Sequence, residues 1–260
     1  MSIPSNGKDD IRKTIANALT IVSHASTPFI NVFLFVHLAS PILANVGGTS
    51  LASRVMLLGR EYYQTRIGEF LTLGGIGIHA ASGLSKRLLL SYTSPSKSQD
   101  EDGKSSDPRG ILLQRPLKSL LSLTAYSALL FLLPIHFLVH RDYPTIPTEP
   151  IAAVGPASLD YEYVKYGLHT WPWRSWLLYG GLVGSVMFHF ADGATVIWNT
   201  WLKDSWLNVT RRTRRSIFFW GFVAPTLLGL AAITREPPMI MSFLKSGYHA
   251  AYTQSIVYRV

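Results

Sequence analysis

Five stretches of this chain, roughly 15–44, 68–90, 117–139, 176–202 and 217–233, are apolar over lengths that reach or approach the 20 or so helical residues needed to cross a hydrocarbon core. Inside lipid the backbone has no water to bond. A spanning segment must therefore satisfy its own N–H and C=O groups, as a helix does. The expected fold is all-α: a polytopic membrane helical bundle of five transmembrane helices. Composition agrees. Only 15% of the residues are charged, against about 25% in soluble domains, and the mean hydropathy is +0.20. There is no cysteine, which excludes disulfides, thiolate metal sites, iron–sulfur ligation and cysteine-linked haem. The formal charge is +9. In a membrane chain its placement matters more than its sum, so it points to topology rather than to a nucleic acid partner.

Between the spans the chain changes character. Residues 1–14 form a polar N-terminal tail of mixed charge, unlike a cleavable signal peptide, and Asp9 and Asp10 interrupt any matrix presequence. Insertion is expected to use internal signals. Pro28 and Pro41 predict a kink or early end in the first span. "SLASRVMLLGREYYQTRIGEF" reads as an interfacial helix leading into the second. The loop 94–110 is rich in Ser, Asp and Lys and reads as disordered. Residues 141–163 are Pro-rich and extended, and "LHTWPWRSW" places three tryptophans where an aromatic belt would sit. The transmembrane domain runs over 15–235. The tail 236–260 is too short and polar to span and is expected to lie along the interface.

An odd number of spans puts the termini on opposite sides. Fifteen of the 24 Lys and Arg residues fall on the side of the N-terminus, so that side is expected in the cytosol. "RRTRR" (211–215) lies there, either as an ordinary topology-setting loop or as a site for anionic lipid. The sequon "NVT" would stay unmodified on that side.

Six of the eight histidines lie inside or at the ends of predicted spans: His24, His37, His79, His136, His140 and His189. Facing imidazoles from two helices are how a helical bundle holds haem b. In "LGGIGIHAASGLSKR" and "YGGLVGSVMFHFADG", His79 and His189 each have a glycine one turn later, Gly83 and Gly193, and further glycines before them. Such strips admit a flat porphyrin, and equally the close packing of membrane helices. At a rise of 1.5 Å per residue the two histidines differ in depth by only about 3 Å. They are the expected axial ligands. His136 and His140 are i, i+4 partners and, with His37, form a second polar cluster, for a second haem or for capping and interfacial hydrogen bonds. His24 lies on a different face from His37. Lys86 and Arg87 either pair with propionates or snorkel.

Asp192 is three residues from His189 and can orient it or pair with a buried cation. With Thr195 and Asn199, and with Ser82 and Ser85 on the second span, it can instead line a path for a lipid head group. No nucleophile–base pair, phosphate-binding loop or acid pair stands out, so intrinsic catalysis is not expected.

In its five spans and its His-x-x-x-Gly helices the chain resembles the cytochrome b membrane anchors of succinate dehydrogenase and fumarate reductase. "IVSHAS" and "HAASGLSKR" carry that resemblance, with Ala25 and Lys86 departing from its arginine spacings. Over most of 11–235, through "HAASGLSKRLL", "FHFADGATVIW" and the span layout, it more closely resembles a fungal family of five-span mitochondrial outer-membrane adaptors distantly related to those anchors. The resemblance implies membrane lipids and a bridge-like lipid-transfer protein as partners, a role in mitochondrial lipid homeostasis at contact sites, with lipid movement between leaflets, and an outer-membrane location. Haem b is the cofactor expected from the histidine pattern, and the count of basic residues over five spans puts the C-terminus in the intermembrane space. Recruitment in that family uses a Pro-x-Pro motif; here only "SIPSN" and Pro-x-x-Pro spacings occur. The other function this resemblance suggests is a membrane anchor of a quinone-linked oxidoreductase. A haem-free protein with a polar groove is a third reading.

Overall fold

A computed structural model describes residues 6–91, 119–201 and 209–259 of the protein. The loop 94–110 lies outside the described residues, as do residues 1–5 of the N-terminal tail. Among the described residues the regular structure is entirely helical. In chain order the main helices are α1 (Asn6–Tyr63), α2 (Arg66–Ser91), α3 (Leu120–Thr145), α4 (Tyr161–Thr170), α5 (Pro172–Trp201), α6 (Arg211–Arg235) and α7 (Ser242–Thr253). Four of them, α1, α3, α5 and α6, are long and apolar enough to cross a membrane. Of the five expected spans, α2 is the one not among them. Its 26 residues give it the length, but Glu69, His79, Lys86 and Arg87 make it less apolar than the others. Trp173, Val46, Phe70 and Leu177 are each more than 70% exposed. Exposed apolar side chains of this size belong against lipid.

The chain divides into two compact units, residues 1–35 with 62–119, and 36–61 with 120–260. The first is a helical hairpin. Thr65 caps the start of α2, its hydroxyl accepting from Gly68 N at 3.0 Å while its carbonyl accepts from Glu69 N. Thr72, Gly75, His79, Ser82 and Lys86 alternate at spacings of three and four along α2. That is the period of a helix–helix seam. Thr72 and Ser82 are buried on it, as are Ala16 and Ser26 of α1. Small and hydroxyl side chains are how helices associate in lipid, where apolar surface alone gives no preference for a neighbouring helix.

The helix does not end at Pro28 or Pro41, where the sequence predicts a kink or early end; α1 keeps helical φ/ψ through both and breaks at Gly47 and Gly48. Proline leaves the carbonyl four residues earlier without its donor. At Pro28 that carbonyl is His24 O, and the Thr27 hydroxyl donates to it at 2.7 Å. Gly48 has φ +57° and ψ −155°, a conformation only glycine adopts without strain. Thr49 N then donates to both carboxylate oxygens of Glu236, at 3.0 and 3.3 Å.

In the second unit, the stretch between α3 and α5 and the stretch after α6 are packed rather than loose. Asp160 caps α4 by accepting from Glu162 N. One side of α4 (Tyr161, Val164, Leu168) packs with Ala44, Ala52, Tyr179, Leu230 and Ile233. Its other side (Tyr163, Tyr166) packs with Val139, Leu244, Tyr248, Ala251 and Tyr252. The stretch 236–260, read above as an interfacial tail, thus contributes through α7 to the core. Asn45 Nδ2 donates to Pro225 O at 2.8 Å, and Gly229 lets α6 approach the Pro41 carbonyl more closely than any side chain would permit. π-type turns at Ala128–Leu132 and Phe219–Val223 precede Pro134 and Pro225. An extra residue in the turn relieves the clash of the proline ring with the preceding carbonyl.

Two outcomes are expected in detergent. Gly48→Ala should lower thermal stability by about 1–3 kcal/mol, because the added methyl is strained and runs into Glu236. Gly221→Ala, where the methyl meets nothing, should not. Hydrogen bonding from Thr49, and more weakly the Lys165 charge, holds Glu236 below the usual carboxylate range. Its contribution should be complete above the ordinary glutamate pKa, about 4.3, and be lost as pH falls through the lowered value. Unfolding temperature followed by circular dichroism against pH, in wild type and Glu236→Gln, checks this.

Candidate functional site

Each of the two glycine-flanked histidines is held by a backbone carbonyl. In the first unit His79 Nδ1 lies 3.0 Å from Ser23 O and 3.3 Å from its hydroxyl. In the second unit His189 Nδ1 lies 3.1 Å from Leu121 O. A carbonyl only accepts, so Nδ1 carries the proton in each ring and the basic lone pair sits on Nε2. This is the orientation that a backbone carbonyl imposes on a metal-ligating histidine. A side chain placed at Gly83 or at Gly193 would meet no protein atom within 4 Å among the described residues. The same holds at Gly74, Gly77 and Gly184. Gly75 lies against Ser26, Phe29 and Ile30, Gly180 against Leu227 and Gly181 against Leu132. The helix surface one turn after each histidine is therefore open, while part of the strip before it is packed. A neutral imidazole with its lone pair on Nε2 is a donor that haem iron takes.

Asp192, 9% exposed, forms a two-point pair with Arg215: Nε to Oδ1 at 2.9 Å and a terminal guanidinium nitrogen to Oδ2 at 2.6 Å. Arg214 Nε donates to Ala191 O at 3.1 Å. The expected polar stripe thus changes along its length. Asp192 is buried and paired, Thr195 turns back toward Ala191 O at 3.5 Å, and Asn199 is exposed. Ser82 is buried in the α1–α2 seam, and Ser85 is exposed. Arg215 was not singled out as the partner, although its place in "RRTRR", 23 residues after Asp192, fits two helices joined by a connection.

His37, His136 and His140 do come together. The rings of His37 and His136 are 5.9 Å apart, and those of His136 and His140 are 4.7 Å apart. The cluster continues into tyrosines that the sequence reading missed. Tyr179 Oη is 3.0 Å from His140 Nε2 and 3.4 Å from Tyr252 Oη, and Tyr252 Oη donates to Tyr163 O. Tyr163 Oη donates to Val139 O at 2.9 Å. Burial raises the Tyr163, Tyr252 and Tyr258 hydroxyls above their ordinary range, so they act as neutral donors. Among the described residues no three His, Asp or Glu side chains are placed to hold a metal ion. The arrangement links α3, α4, α5 and α7 by polar contacts. Tyrosines at 161, 163 and 166 and at 248, 252 and 258 were the available signal.

Arg215→Met should destabilise the fold by about 3–5 kcal/mol, because it leaves the Asp192 carboxylate buried without its partner. Asp192→Leu combined with Arg215→Met should recover most of that loss. Thermal unfolding of the two single variants and the double variant reads out the coupling.

Comparison with curated proteins and with solved structures finds no match, so the likeness to cytochrome b anchors has no counterpart there. Residues 129–235, less than half of the chain, match the family model described as MDM10-complementing protein 1, transmembrane domain. The matched region runs from α3 to the end of α6 and includes His136, His140, His189 and Asp192, but not His79. Together with the four apolar helices, the match makes this a membrane protein similar, over α3–α6, to that family.

Proposed function

We propose that the chain is a haem b-binding mitochondrial membrane protein that acts in lipid homeostasis, with His79 and His189 as the ligands of the haem iron. The observation that carries the haem reading is the common setting of the two histidines. Each has Nδ1 held by a backbone carbonyl and an open glycine one turn later. In that setting the carbonyls fix the tautomer and direction of the rings, and Gly83 and Gly193 keep the face beside each ring clear. Bound haem supplies a one-electron redox centre. The match at 129–235 supports the mitochondrial setting, and the sequence resemblance implies the lipid role. The resemblance further suggests an adaptor for a bridge-like lipid-transfer protein in the outer membrane, and ATP-independent exchange of phospholipid between leaflets.

The visible spectrum of purified protein tests the haem. His79→Ala and His189→Ala should each lose most of the Soret absorbance while His24→Ala keeps it; full haem retention in both of the first two variants refutes the assignment.

We also take α2 as a fifth span despite its polar residues, since His79 and Lys86 find partners on α1. Five spans leave the N-terminus cytosolic and the C-terminus in the intermembrane space. Protease added to intact mitochondria should remove an N-terminal tag and spare a C-terminal one. Equal accessibility of both tags means that α2 does not cross.

A further inference from the structure

Lys86 does not reach out along the membrane surface. Its Nζ lies 2.6 Å from Thr20 Oγ1, in the seam between α1 and α2. The Thr20 hydroxyl donates its own proton to Ala16 O at 2.7 Å, so its oxygen accepts from the ammonium. This acceptor is neutral. Among the described residues no carboxylate pairs with Lys86. Among the described residues, the charged groups that act on His24 are Lys86 and His79, both basic. His24 stands one turn after Thr20 on α1, and Gly83 stands one turn before Lys86 on α2 with open space beside it.

An ammonium has three protons to donate, and Thr20 takes one. A charge in this apolar hairpin is costly unless an anion meets it. Lys86 thus has charge to be neutralised, spare donors, and room at its side. We propose that this end of the first unit binds a phosphate group, that of an anionic phospholipid whose acyl chains lie in the bilayer. Lys86 provides the charge-assisted hydrogen bonds, and Thr20 aims its ammonium. The inference rests on the lipid part of the proposed function and is independent of the haem part.

Native mass spectrometry of the detergent-purified full chain, titrated with phosphatidic acid and with phosphatidylcholine, tests it. Wild type should retain phosphatidic acid in preference to phosphatidylcholine. Lys86→Met should weaken that retention by about fivefold or more, as expected for losing one basic contact to an anionic lipid, and Lys86→Arg should keep most of it. Thr20→Val, which removes the aiming oxygen but no charge, should weaken it less and serves as a second probe if Lys86→Met fails to fold. Undiminished retention in both Lys86→Met and Thr20→Val, or in Thr20→Val alone where Lys86→Met is unfolded, overturns the site. Complete displacement of the lipid by millimolar inorganic phosphate overturns the lipid assignment in favour of a soluble phosphate. The Soret band of the same samples separates the two proposals. Loss of haem in Lys86→Met with lipid binding intact assigns Lys86 to a haem propionate and overturns the lipid site. Absence of haem from wild type with lipid binding present refutes the haem reading alone.

Discussion

Lys165 is 1% exposed, and its ammonium is held by Glu162 at 2.7 Å, by the Pro237 carbonyl at 3.3 Å and by Glu236 at 4.0 Å. A buried charge tolerates no loose partner, because desolvation makes each missing contact expensive. Three pieces of chain are therefore tied to one point: α4, which carries Lys165, the end of α6, and the turn at Gly48, whose Thr49 N–H binds the same Glu236. Glu162 also accepts from Met239 N, which sets the path of the chain into α7. Take away this charge and α4 loses the contact that holds it between the two apolar clusters of the second unit.

The same rule governs the apolar helices. In a medium without water a polar group gains from a protein partner, and the structure supplies several at short range. Thr27 serves the carbonyl freed by Pro28, Asn45 serves Pro225 O, Ser23 serves His79 and Arg215 serves Asp192. The aromatic groups follow suit, with Tyr179 placed between His140 and Tyr252. Position in the chain says little about which of these groups matter; the partner does.

What could be read from the sequence was what depends on composition and spacing. Four of the apolar runs, the i, i+4 histidines of α3 and the polar pair on α5 were visible that way. The break in α1 was not, because proline looked like the stronger disruptor, whereas the Thr27 hydroxyl meets the carbonyl freed by Pro28 and Glu236 meets Thr49 N just after the break at Gly48. The packing of α4 and α7 was hidden too. Their tyrosines are amphipathic, and the same pattern suits an interface helix or a core whose hydroxyls find partners. The tautomers of His79 and His189 depend on carbonyls in other helices, Ser23 and Leu121, which no local pattern identifies.

The Asp192–Arg215 pair has a consequence for biogenesis. A helix that presents a lone carboxylate or guanidinium to the bilayer is penalised by about 2.5–3.5 kcal/mol on insertion scales for a group at its centre. Joined at two points, the charges cancel much of that penalty, and the pair can form only when both helices are present. Helices α5 and α6 thus each carry a charge that the other neutralises, so inserting them together costs less than inserting either alone.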